Sequence, residues 1–260
     1  MSSIILNHVN CTAAVMIGVG ICTAIELQIR TAHYGRYSGS DGSSKDATTI
    51  AFPQINARLA WMLQECPSFF GALMFSGFGS LAPTNRVLLS LFLLHYANRS
   101  FVYPLQIRPG HGVPVDIVAA AFGFCLLNGW LQGRAAAQTR YPDGWLRSPR
   151  CVVGVVLFFV GLGINMHSDA VLRRLRAPGE TGYKIPQEGM FKYVSGANYF
   201  GEMVEWMGFA IASWSIPSLA FFVFVCSNIG PRAVQHHRWY KNKFGVEYPP
   251  DRKAVIPFIL

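Results

Sequence analysis

The sequence predicts an all-α integral membrane protein with seven transmembrane helices, and three observations carry that expectation. Apolar residues make up 52% of the 260 residues while charged residues make up only 13%, far from the roughly 25% charged composition of ordinary soluble domains. Seven mostly apolar stretches, at about 9–28, 55–81, 87–107, 113–133, 151–171, 196–213 and 217–234, approach the ~20 residues that a helix needs to cross a bilayer. The basic residues are also lopsided. With the N-terminus placed outside, 17 of them fall on the inner side and 5 on the outer. The positive-inside rule then puts the N-terminus outside or lumenal and the C-terminus in the cytosol.

The first apolar run has no basic segment before it and no small-residue cleavage site after it, so it reads as a membrane helix and not as a removed signal. Pro217, just after Ser213-Trp214-Ser215, predicts a break that separates the last two spans. The stretch Tyr37–Thr49 is rich in Ser, Gly and Asp and reads as a loop. Neither an internal repeat nor a second domain is visible, so residues 1–260 are expected to form a single domain.

Net charge is +9, which could suit nucleic acid or an anionic surface. The basic residues alternate with long apolar runs, which excludes nucleic acid and favours membrane lipids and a phosphate-bearing cofactor. The six cysteines lie mostly inside apolar runs and form no CxxC pair, so they predict neither a disulfide framework nor a zinc site. The neighbours His236 and His237 point about 100° apart on a helix and do not make a metal pair either.

Ionisable groups at membrane depth are costly and mark function by default. Here they recur at helical spacing. Arg58, Trp61 and Glu65 stand at i, i+3 and i+7 in the second span, beside Pro67. The third span offers His95, Tyr96, Arg99 and Tyr103, the fifth Asn165, Asp169, Arg173 and Arg176, and the sixth Asn198, Glu202, Glu205 and Trp206. The seventh ends in Arg232, His236 and Tyr240. Residues three and four apart share a face, so each stripe is expected to turn inward, around a cavity that is polar at its cytosolic end. The plainer alternative is a set of interhelical hydrogen bonds that only hold the bundle together. The arginines suit phosphates. Gly161-Leu162-Gly163 lacks the third small residue and the preceding strand of a dinucleotide-binding fingerprint, so a dinucleotide would be held by side chains between helices. Glu65, among Trp61, Met62, Leu63, Cys66 and Phe69, sits where a neutral carboxyl is favoured and can donate to an oxyanion; Tyr96 can donate a second bond. A salt bridge from Glu65 to Arg58 or Arg99 is the competing expectation.

Long ordered strings carry a resemblance. They are GINMHSDAVLRRLRAPGETGYKIPQEGMFKYVSGANYFGEMVEW at 163–206 and HHRWYKNKFGVEYPPDRKAVIPFIL at 236–260, with WMLQECPSFF, LHYANRSFVYPL and YPDGW at 61–70, 94–105 and 141–145. The chain resembles the steroid 5α-reductase family over nearly its whole length, and GETGYKIP is nearer the type 1 wording. The resemblance implies NADPH-dependent reduction of the Δ4 double bond of 3-oxo-steroids such as testosterone and progesterone. Glu65 and Tyr96 would hold the C3 ketone, and Gln64 would support Glu65. Trp61, Phe124, Cys125, Glu202 and Trp206 would line the steroid slot. Asn165, Asp169, Arg176, Asn198, Arg99, Tyr183, Arg232, His236, Tyr240 and Tyr34 match the family's NADPH contacts, and Arg108 survives in a 104–110 segment that otherwise departs from the family wording. Gly245-Val246 looks like a one-residue insertion. No metal is implied, the steroid would enter from lipid, and the protein is expected to act as a monomer in the endoplasmic reticulum membrane of a eukaryote or the inner membrane of a bacterium. The alternatives are a related reductase acting on enoyl-CoA or polyprenol-type lipid, methyl transfer from S-adenosylmethionine onto a lipidated cysteine, or a non-catalytic sterol binder.

Overall fold

The computed structural model describes residues 2–29, 52–107, 112–177, 180 and 182–260, with side chains from His8 onward. Among the described residues eight α-helices appear in chain order: α1 (Ser2–Ile29), α2 (Ala57–Ser76), α3 (Pro83–Ala97), the short α4 (Tyr103–Gln106), α5 (Val115–Gln138), α6 (Pro149–Arg174), α7 (Ala197–Ser213) and α8 (Ile216–Phe244). A widened π turn, Asn98–Val102, joins α3 to α4 without a break. A two-residue ribbon pairs β1 (Gln54–Ile55) with β2 (Val113–Pro114).

Among the described residues, four helical stretches are long and apolar enough to cross a membrane: His8–Ile29, Val115–Gln138, Pro149–Arg174 and Ile216–Glu247. They give the chain its membrane character. The other three expected spans form helices that stay short of that measure for identifiable reasons. α2 carries Arg58, Gln64 and Glu65 and stops at Gly77, whose φ of 59° is left-handed. The third continues from α3 through the π turn into the short α4, so its α-helical run is only 15 residues long. α7 has 17 residues with Glu202 and Glu205 among them.

Local chemistry explains the boundaries. Asn56 accepts from the Arg58 amide at 3.0 Å to start α2, and Ser148 accepts from the Cys151 amide at 3.3 Å to start α6, with Pro149 in its first turn. The break at Pro217 falls where the sequence put it. Trp214 turns left-handed with φ 45°, and Ser215 and Ser218 form a reciprocal cap that opens α8. α8 then continues through Phe244, ten residues beyond the expected span, because its last turns are basic rather than apolar but still helical. Gly245, with φ 52°, ends it, and Val246 stands fully in the open, so the apparent insertion is a surface turn.

The chain divides into a central unit, Thr31–Ala137, and a flanking unit, Met1–Arg30 with Gln138–Leu260. In the central unit the ribbon starts α2 and α5 side by side, running the same way. Glycines let them touch: a Cβ at Gly129 would meet the Pro67 and Ser68 carbonyl oxygens at 2.8 Å, and one at Gly133 the Ala72 oxygen at 2.8 Å. In the flanking unit α6 and α7 pack antiparallel through two glycine heptads. Added Cβ atoms at Gly154 and Gly161 would strike the backbone of Ala212 and Glu205, and those at Gly208 and Gly201 the backbone of Phe158 and Asn165. Small residues at such spacing are the means by which membrane helices approach closely. Tyr141 and Trp145 donate to the Ser213 and Ala212 carbonyls at 2.7 and 3.0 Å and so satisfy the end of α7.

Candidate active site

In the central unit, α5 presents two residues, three apart, to the expected catalytic pair. Cys125 Sγ donates to Glu65 Oε2 at 3.8 Å, and Asn128 Nδ2 donates to the Tyr96 phenol oxygen at 3.2 Å. Gln132 Nε2 in turn donates to Asn128 Oδ1 at 3.3 Å, and Ser68 Oγ donates to the Cys125 carbonyl at 2.9 Å. Gln64, Tyr96, Cys125, Asn128 and Gln132 are all buried. The carboxyl of α2 and the phenol of α3 are thus fastened to one face of one helix. Glu65 and Tyr96 also lie close enough to interact electrostatically.

A second cluster sits at the π turn. Arg99, 8% exposed, places its guanidinium 5.4 Å from the Trp61 ring and 5.0 Å from the Tyr103 ring, while those two rings meet edge to face at 5.0 Å. Aromatic faces hold a guanidinium without neutralising it. Arg58 is engaged by backbone instead: its Nε donates to the Ile107 carbonyl at 3.1 Å. Phe124, next to Cys125 on α5, is half-buried. Tyr34 and Arg108 lie outside the described residues.

The flanking unit gathers the rest. Close packing of α6 on α7 brings Asn165 Nδ2 to the Asn198 carbonyl at 3.0 Å. Asn165 Oδ1 and, one turn on, Ser168 Oγ are buried with no protein hydrogen bond. Asp169 is buried beside them in sequence, and Glu202 is half-buried on α7. Past the end of α6, Arg176 lies 5.6 Å from the Tyr183 ring; Tyr183 packs on Trp239 at 4.8 Å, and Lys243 covers both rings at 5.5 and 5.2 Å. His236 stacks near Tyr199 at 5.5 Å, whereas His237 Nδ1 meets Ser195 Oγ at 2.6 Å, so the neighbouring imidazoles serve different partners. Arg232 is half-buried on α8 one turn before His236.

Trp206 and Tyr240 also pack among aromatic rings. Trp206, 1% exposed, touches Phe221, Phe209 and Phe158 at ring distances of 4.4, 5.8 and 6.3 Å. Tyr240 stacks between Tyr248 at 5.6 Å and Phe244 at 5.9 Å. Burial raises the Tyr141 phenol above its ordinary value and does the same to Tyr248, which meets Ser195 Oγ at 2.5 Å.

Sequence reasoning missed Asn128, Gln132, Ser68 and Ser168. The signal for the first two was present as amides four apart on one face, interleaved with Gly129 and Gly133. Ser168 lies one turn from Asn165 and was passed over because a single hydroxyl in a helix reads as packing.

The sequence profile of the 3-oxo-5-alpha-steroid 4-dehydrogenase family matches residues 111–260. Over 250 residues the chain is 46% identical to 3-oxo-5-alpha-steroid 4-dehydrogenase 1 of Bos taurus, covering 93% of each. It is 45% identical over 244 residues to 3-oxo-5-alpha-steroid 4-dehydrogenase 2 of Homo sapiens, covering 92% of this chain and 95% of the relative. The type 2 protein of Sus scrofa stands at 47% over 230 residues, 87% of each; overall identity does not place the chain with either type. On these grounds the chain belongs to the 3-oxo-5-alpha-steroid 4-dehydrogenase family of oxidoreductases.

Proposed function

We propose that the protein reduces the Δ4 double bond of 3-oxo-Δ4-steroids, of the testosterone or progesterone type, to 5α-dihydro-3-oxosteroids with NADPH. The observation that carries this reading is the half-buried carboxyl of Glu65 and the buried phenol of Tyr96, both fastened to α5 through Cys125 and Asn128. A nicotinamide cofactor follows from the family, and NADPH supplies a hydride to C5, the β-carbon of the enone. The chain's own residues act on the other end of the conjugated system. Glu65, as the neutral acid, and Tyr96 donate hydrogen bonds to the C3 ketone oxygen. Those bonds strengthen as negative charge develops there, which lowers the barrier; each such donor is worth about 3 kcal/mol in other oxyanion holes. Protonation at C4 then restores the ketone. Gln64 supports Glu65, and Trp61, Phe124, Cys125, Glu202 and Trp206 are proposed to line the steroid slot.

The flanking unit's donor set fits a phosphorylated dinucleotide. The orphaned Asn165 Oδ1 and Ser168 Oγ suit a carboxamide or a ribose hydroxyl, each of which both donates and accepts. Arg176 beside Tyr183, with Lys243 and Trp239, offers charge for phosphate and a ring for stacking. Asp169, Asn198, Arg232, His236 and Tyr240, with Arg99, Tyr34 and Arg108, complete the proposed cofactor set.

The same reading takes residues 1–260 as one reductase domain with seven membrane crossings, its N-terminus outside or lumenal and its C-terminus cytosolic. The 17 residues of α7 reach only about 26 Å, close to the ~30 Å hydrocarbon core. The steroid enters from lipid, the protein acts as a monomer, and the membrane is endoplasmic reticulum in a eukaryote or the inner membrane in a bacterium.

The test is turnover by the purified protein with NADPH and a panel of testosterone, progesterone, an enoyl-CoA and a polyprenal. The 5α-dihydrosteroid should form, and Glu65→Ala or Tyr96→Phe should lower kcat about 10²–10³-fold with NADPH affinity retained. Preferential turnover of the enoyl-CoA or polyprenal, steroid binding without NADPH oxidation, or full turnover by both variants would each refute the reading.

A further inference from the structure

After α8 the chain comes back to the start of α7 and ends in a small, firmly rooted loop. The root is packed and bonded. The Lys253 amide donates to the Tyr193 carbonyl, and the Ser195 and Gly196 amides donate to the Lys253 and Ala254 carbonyls, each at 2.9 Å. Arg252 donates from Nη1 to the Pro186 carbonyl and from Nη2 to Gln187 Oε1, both at 3.1 Å. Val255 is 1% exposed. Beyond it the chain closes on itself. The Val255 and Ile256 amides both donate to the Leu260 backbone oxygen at 2.7 Å, and the Leu260 amide donates to the Ile256 carbonyl at 3.0 Å. This closure holds Phe258 at φ 67°, a left-handed conformation that a bulky residue keeps only under constraint. The loop displays apolar side chains. Phe258 and Ile259 are 79% and 78% exposed, and Ile256 and Leu260 are exposed as well. Tyr193, also exposed, lies 5.5 Å from the Phe258 ring. So large an apolar tip, held outward by its own backbone, marks a contact surface.

The level of this tip is set by α6. Val194 and Ala197, on either side of the residues that bond the root, join Phe191 and Val171 in one buried cluster. Val171 lies three residues, about 5 Å of helix, before the end of α6 at Arg174. α6 is long and apolar enough to cross a membrane, and its last turn carries Arg173 and Arg174. The cluster therefore marks the depth at which apolar surface gives way to basic surface. Arg174 is exposed there, and so is Lys192 beside Tyr193. We propose that Ile256–Leu260 is a foot on the membrane surface: Ile256, Phe258, Ile259 and Tyr193 enter the boundary between headgroups and acyl chains, while Lys192 and Arg174 meet lipid phosphates. Aromatic and apolar side chains with basic neighbours are the composition that settles at this depth. Lipid is the occupant because the tip projects at the level where the bilayer that α6 crosses ends. The inference rests on α6 crossing a membrane and is independent of the reaction proposed above.

The test is the depth of a nitroxide label on Ile259→Cys, in full-length protein whose exposed Cys11 and Cys22 and half-buried Cys66 and Cys226 are changed to serine. The protein is reconstituted in lipid nanodiscs of phosphatidylcholine and phosphatidylserine. Electron paramagnetic resonance then compares the label's accessibility to oxygen, which concentrates in acyl chains, with its accessibility to a nickel chelate, which stays in water. Oxygen accessibility should exceed chelate accessibility several-fold, at a depth within about 10 Å of the phosphates. The same label on Val160→Cys, exposed near the middle of α6, should lie deeper still. Free access of the chelate to the label at 259 overturns the proposal. So does a label shielded from both reagents and broadened by a second spin, which would put another copy of the chain on the tip. Phe258→Cys is read by the same criteria and decides if Ile259→Cys does not fold. Failure of the underlying membrane reading looks different: the Val160→Cys label would itself be open to the chelate.

Discussion

The candidate site residues of the central and flanking units differ in how their polar atoms are satisfied, although Ser100 Oγ in the central unit is also buried without a hydrogen bond. In the central unit the polar side chains answer one another: Gln132 to Asn128, Asn128 to Tyr96, Cys125 to Glu65, and Ser68 to the backbone of α5. In the flanking unit α6 and α7 are closed backbone to backbone by glycines, yet Asn165 Oδ1 and Ser168 Oγ are buried on α6 without a protein partner. A group already satisfied is oriented before substrate arrives, which suits electrostatic catalysis. A buried group left unsatisfied costs stability until a ligand completes it, which suits binding. Under the proposed function, the contrast fits chemistry in the central unit and cofactor capture in the flanking one.

The largest expected effect tests how the flanking unit is built. Gly161→Val places a side chain into the backbone of Glu205 and should leave no folded, NADPH-binding protein in detergent, whereas Gly163→Ala, two residues away and facing open space, should be recovered like the parent. A smaller effect sharpens the contrast itself. Asn128→Leu should lower stability by about 1–3 kcal/mol, because it removes the buried hydrogen bonds to Tyr96 and from Gln132. Ser168→Ala should leave the ligand-free thermal midpoint equal or higher while weakening NADPH about fivefold, because it removes an atom the protein does not satisfy. Equal destabilisation by both would erase the distinction. The smallest effect is alkaline. Burial raises the phenols of Tyr141 and Tyr248, so above about pH 10 the unfolded chain sheds protons that the folded one retains. Their contribution is complete below that pH and declines above it. The thermal midpoint between about pH 9 and 11 should fall less steeply in Tyr141→Phe/Tyr248→Phe than in the parent.

What the sequence made legible was residue type and punctuation. Pro217 marked the break before α8, and the carboxyl at 65 and the phenol at 96 were chosen because polar groups inside apolar runs are expensive. Helix contacts were not legible in the same way. Gly154, Gly161, Gly201 and Gly208 stand seven apart in two helices, but glycine counts as filler in any hydropathy window, and only the antiparallel pairing of α6 with α7 gives the spacing meaning. Asn128 and Gln132 were passed over for a related reason. An amide has no charge to raise an alarm, and its orientation depends on a partner that the linear string cannot supply. The end of α8 was set short because the last turns are basic, and hydropathy confuses leaving the membrane with leaving the helix.

The π turn at Asn98–Val102 has a consequence for what variation the protein tolerates. A π turn amounts to one residue slipped into an α-helix. Deleting one of the five would let the helix close regularly and keep the residues after it on nearly the same face, because four α-helical residues turn the chain about as far as the five of the π turn. Tyr103 would stay by Trp61 and Arg99, and Ile107 by Arg58. A residue added to the α-helical turns on either side would instead swing everything after it by about 100°. This segment should therefore be lenient toward exchange of one amino acid for another at the exposed Phe101 and Val102, and should bear the loss of one residue better than the gain of one.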